Sequence, residues 1–189
     1  MKRRSLRVRR SAAVAMIAAA GSLLLTACGT ISTPYGASER GAAQGIAVRV
    51  DFIAQGLMDA ALSAEYGVVT RTDLLPLAAH VFLTPEEQLT AEHERRASTI
   101  YGFSTSLDAT SVDIFVPAIS QVNAGLYSES TVQFGCGTLR VDAVAAVARI
   151  RDVPCPDWIV QLNSADARQV SLADVTKEEI GATEWHARD

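Results

Sequence analysis

The stretch Thr131-Val132-Gln133-Phe134-Gly135-Cys136-Gly137-Thr138-Leu139-Arg140-Val141 decides the fold class. It is rich in branched and aromatic residues, which fit a pleated, half-buried surface, and 144–153 repeats that character after a break at Asp142. Outward from this pair, 100–103, 112–116 and 158–162 read the same way, with Gly, Pro, Asn and Asp between them. Upstream the period changes. Val48, Val50 and Phe52 alternate with Arg49 and Asp51 as in a strand, but Ile46, Val50, Ile53, Leu57, Ala60, Ala61 and Ala64 fall at helical spacing. The longer, Ala-rich series predicts a helix over 47–65, ended by Gly67. A short helix capped by Thr72 follows, and Thr84-Pro85-Glu86-Glu87 forms a capping box for a helix reaching Ser98. A last short helix starts at Ser171 or at Thr176, where Thr176-Lys177-Glu178-Glu179 again fits a capping box. Helices first and strands afterwards predict an α+β domain, with two or three helices packed on one face of an antiparallel sheet.

With 49% hydrophobic and 20% charged residues in 189, the chain has ample apolar material for a core, which excludes disordered and low-complexity classes. The formal charge of −4 is unevenly placed. Residues 1–27 hold six basic side chains (Lys2, Arg3, Arg4, Arg7, Arg9 and Arg10) and no acidic ones. Subtracting these from 17 Lys+Arg leaves 11 against 21 Asp+Glu, so residues 28–189 carry −10. An acidic body repels phosphate backbones, and no basic stripe with interleaved aromatics stands against that, so nucleic acid is not an expected partner.

The basic start is followed by an uncharged run over 11–27, the order of a secretory signal. It ends in Leu25-Thr26-Ala27-Cys28-Gly29, which resembles the lipobox of bacterial lipoproteins: an aliphatic residue, two small residues, then cysteine. The resemblance implies cleavage between Ala27 and Cys28, a diacylglyceryl group on the Cys28 thiol, and a lipid-anchored position on the extracytoplasmic face of the cell membrane. Arg3-Arg4-Ser5-Leu6 also resembles a twin-arginine export signal, but Arg7 stands where that signal is usually apolar, which favours general secretion. The resulting division is 1–27 signal peptide, 28–45 flexible Gly/Ser/Ala-rich tether, 46–183 folded domain and 184–189 tail.

With Cys28 assigned to the anchor, Cys136 and Cys155 remain as one pair in an exported chain, where a disulfide persists. Both fall on expected strands. Their pairing would staple a hairpin centred near Ala145-Ala146 with Val141 opposite Ile150, or a wider loop around Asp142.

The chemistry-bearing residues are sparse. Gly102-Phe103-Ser104-Thr105-Ser106 lacks the last glycine of a nucleophile elbow, so Ser104 reads as a strand hydroxyl. His80, His93 and His186 are the available bases, and Ala97 stands where a second zinc histidine would follow His93. Glu86, Glu87, Glu92 and Glu94 read as a solvated helix face, and no calcium loop or phosphate loop occurs. The glycines of Gly135-Cys136-Gly137 permit a bulge or close packing, and Trp158 covers the bridge or faces a ligand. Neither cofactor nor metal is expected. By elimination the chain reads as a non-catalytic binding or accessory module for an envelope protein or a small ligand. The alternatives are an envelope hydrolase assembled from scattered residues and a small lipid carrier.

Overall fold

In the computed structural model the described residues are 36–64, 68–84, 86–87, 97–163 and 165–187. Ala27, Cys28, Gly67 and His93 lie outside them, as does the helix expected after Glu87. The Thr84 capping box is present at its start, where Glu87 N–H donates to Thr84 Oγ1 and Thr84 N–H to Glu87 Oε2.

The first helix, α1 (Ala37–Ser63), buries Ser38, Ala42, Ile46, Val50, Ile53, Leu57 and Ala61, a three-to-four-residue period that lays one face on the sheet. It begins nine residues before Ile46, so 37–45 belong to the folded body and not to a tether. The reason is packing. Ser38 hydrogen-bonds Thr131 at 2.7 Å, and Gly41 and Gly45 lie against Ser120 and Ala118. Small residues that look like linker in sequence here let a helix approach two strands closely. Helix α2 (Arg71–Leu74) is capped by Thr70, two residues before Thr72, because Asp73 accepts from both the Thr70 N–H and hydroxyl.

Among the described residues the sheet has seven strands: β1 (His80–Val81), β2 (Thr99–Thr105), β3 (Ala109–Ala124), β4 (Tyr127–Asp142), β5 (Val147–Asp152), β6 (Arg168–Gln169) and β7 (Glu184–His186). The spatial order is β1-β2-β3-β4-β5-β7, with β6 beside β4. It is antiparallel except that β1–β2 and β4–β6 pair parallel. Strand β3 runs through Pro117, which lies past Phe115, the last residue that β2 pairs. That side of β3 has no ladder to lose there.

Three further expectations are corrected. Residues 158–162 are helix α3 (Asp157–Leu162), not a strand. A short apolar run does not distinguish the two by period, and Pro156 at the helix start ends the extended backbone. Glu184–His186 is β7 rather than a tail: Trp185 is buried and its Nε1 donates to Asp51 Oδ1 at 2.7 Å. The helices do not share one face of the sheet. Helix α1 and α4 (Leu172–Ile180, capped by Ser171 Oγ) pack on Val112, Ile114, Leu139 and Val141, whereas α3 covers Phe115, Phe134 and Cys136 on the other side. Of the two starts expected for α4, Ser171 is the cap, and Thr176 is buried within the helix.

The β4–β5 hairpin pairs Val141 with Ala148 and Leu139 with Ile150, two residues from the expected register. Cys155 lies beyond the end of β5, so the Cys136–Cys155 bridge, with Cα atoms 5.2 Å apart, ties a strand to the segment after its partner. The turn is the wider loop around Asp142, whose Oδ1 accepts from Val144 and Ala145 N–H.

Candidate functional site

Alternation along β4 sends Gly135, Gly137, Leu139 and Val141 to the α1 side, and Phe134, Cys136, Thr138 and Arg140 to the other. Gly135 is required there: a Cβ would stand 2.5 Å from Leu172 Cδ2 and 2.7 Å from the Val170 carbonyl. This is the close packing expected of the Gly-Cys-Gly run, with helix α4 as the neighbour.

The face that carries Cys136 has two halves. One is sealed by α3 and the disulfide. Phe115 and Phe134 meet at 6.1 Å, Ile159 is fully buried, and Trp158 packs edge-on against Tyr101 at 6.2 Å. Trp158 therefore packs against the cluster that holds Cys136. Burial, with the Asp113 charge adding to it, pushes the Tyr101 phenol above its ordinary value.

The other half is open. The pairing places Ser104, Ser111, Arg140, Arg149 and Glu184 in one row across β2, β3, β4, β5 and β7. Behind it, Gly102, Asp113, Thr138 and Arg151 form a second row. Ser111, Thr138, Arg140, Arg149, Ile150 and Arg151 line a hollow of about 410 Å³. Arg140 and Arg149 are direct cross-strand partners, an arrangement in which like charges repel. Arg149 Nε donates to Glu184 Oε2 at 2.7 Å, which raises the guanidinium pKa and lowers that of the carboxyl. Among the described residues Arg140 and Arg151 have no carboxylate within ion-pair distance. Thr138 donates its hydroxyl to Asp113 Oδ1 at 2.6 Å. Among the described residues the surface therefore offers two uncommitted guanidinium forks and one tied fork beside the Ser111 hydroxyl, a donor set suited to carboxylate or phosphate oxygens.

The expected site residues fall elsewhere. Cys136 and Cys155 form the disulfide beside this surface. Ser104 ends its first row, while His80 pairs with Thr99, five residues back along β2 and so about 17 Å away. The two are not brought together. His80 stacks on Phe82 at 5.3 Å, and His186 lies on β7, 3.4 Å from Glu184. Among the described residues no group of three His, Cys, Asp or Glu side chains is placed to hold a metal ion, and no helix is long and apolar enough to cross a membrane. Arginines 140, 149 and 151 were not singled out by sequence reading, although Arg149-Ile150-Arg151 shows the strand alternation that puts two of them on one face. Comparison of the chain with protein-family models, with curated proteins and with solved structures gives no match.

Proposed function

We propose that the chain is an exported lipoprotein, cleaved between Ala27 and Cys28 and held by a diacylglyceryl group on Cys28 at the extracytoplasmic face of a cell membrane. Its body is a non-catalytic binding or accessory module of the envelope, and the open sheet face receives an anionic group of its partner. The observation behind the binding role is the gathering of Arg140, Arg149 and Arg151 around one hollow, in a body that otherwise carries a large excess of acid. Arg140 stands directly across from Arg149, whose charge Glu184 already offsets in part, so a bound carboxylate or phosphate would chiefly relieve the charges of Arg140 and Arg151. Export is supported by the lipobox-like run and by a disulfide that uses both cysteines of the body.

The test uses the full chain in its own membranes, with a photo-crosslinking amino acid at Ser111 and, as control, at Val144. An adduct formed from position 111, weakened by salt and abolished by Arg140→Ser with Arg151→Ser, is the expected result. An adduct indifferent to the arginines, or none, overturns the assignment of the face. For the anchor, Cys28→Ala should leave the signal uncut or release the protein; a processed variant that still sediments with membranes overturns it.

A further inference from the structure

Beyond Ala118 and Gln133, β3 and β4 continue as a two-stranded ribbon to Ala124 and Tyr127. Ala124 pairs with Tyr127, so Gly125 and Leu126 alone make the turn, with Gly125 at φ 63°, a backbone region that glycine enters freely. Leu126 is fully exposed at the apex and Tyr127 flanks it. No charged residue occurs over 114–128, although a fifth of the chain is charged. Exposed ribbons are usually protected from association by charge, whereas the charge on this one is confined to Glu129, behind an uncharged tip.

The ribbon lies at the end of the domain where the chain enters. The first turns of α1 rest on the cross-strand pair Ser120 and Thr131, through Gly41 and Ser38. From that pair to the apex is five to six residues, about 17–20 Å. The eight chain steps from Cys28 to Gly36 reach at most about 29 Å. A lipid on Cys28, as proposed above, would hold the chain entry at Gly36 within about 29 Å of the bilayer.

We infer that the Gly125-Leu126-Tyr127 apex is a second membrane contact that inserts into the bilayer interface beside the acyl anchor. The inference rests on the anchor proposed for Cys28. An apolar side chain next to a tyrosine suits the boundary of headgroups and acyl chains, where an aromatic ring keeps its hydroxyl wet. Glu129 limits the depth. It is three residues behind Leu126, about 10 Å along β4, which matches the 5–10 Å to which interfacial segments bury.

The experiment places an environment-sensitive fluorescent amino acid at position 126 of the full-length chain, or at position 144 as control, and reconstitutes the purified protein in phosphatidylglycerol–phosphatidylethanolamine vesicles containing nitroxide lipid. The mass of the N-terminal peptide reports acylation separately. Blue-shifted emission and several-fold stronger quenching at 126 than at 144 in the acylated protein are expected. Equal, aqueous emission at both sites of an acylated protein overturns the apex contact and leaves the anchor standing. Quenching at 126 in a protein without acyl chains overturns the anchor and retains the contact, whereas neither signal overturns both.

Discussion

Strand β4 passes through two environments on a single face of the sheet. Around Phe134 and Cys136 it is sealed by α3, two aromatic contacts and a disulfide. A few residues on, at Thr138 and Arg140, the same face is open and lined by cations. The ladder with β3 is continuous through both, while the other edge of β4 passes from β6 at Phe134 to β5 from Gly137 on, so neither half lacks strand pairing. What differs is whether the side chains have a cover: the first half is closed by α3, and the second is open. Under the binding role proposed above, a stable half beside a free half on one strand would position the recognition groups rigidly without making them structural.

That contrast can be broken from either side. Phe134→Ala should lower stability by about 3–5 kcal/mol in denaturant titration, because an aromatic is removed from a closed cluster. Replacing Cys136 and Cys155 together by Ala should cost about 3 kcal/mol, and thiol titration of the unfolded, non-reduced wild type should find neither of them free. Arg140→Ser should change folding stability by no more than about 0.5 kcal/mol while weakening partner capture from position 111; a large loss of stability would show that the open half is structural after all. The smallest effect belongs to Glu184. Its carboxyl is held below its ordinary 4.5 chiefly by the hydrogen bond from Arg149, so the unfolded state binds more protons as the pH falls past that value. The stabilisation is present above pH 4.5 and is lost below it, and Glu184→Gln should flatten that acid limb of the melting temperature slightly.

Much of this was legible beforehand. The α+β class, the helical period around Val50 and Leu57, the strand character of 131–141 and the cysteine pair all follow from residue types and spacing. Four things were hidden for separable reasons. The first turns of α1 are glycine- and alanine-rich, and only their contact with β3 and β4 makes them helix. The bridge misled the register because Cys155 lies past the strand end, although a shift of two preserves which face each residue takes. For that reason Arg140, Arg149 and Arg151 could have been assigned to the side of Cys136 even in the wrong register. Nothing in the sequence, however, said that α3 covers only half of that side. Trp185 was unreadable because its partners, Asp51 and the edge of β5, lie far away in the chain.

The bond from Trp185 to Asp51 also sets an order of events. The indole comes from the last strand and the carboxylate from the first helix, 134 residues earlier. A chain delivered N-terminus first presents the apolar side of α1 long before β7 exists to close against it. Final closure must wait until nearly the whole chain has emerged, and contacts between such distant segments form slowly. Among the described residues the first helix is thus a latch for the last strand, and a truncation of only a few C-terminal residues would leave a core that has collapsed but not shut.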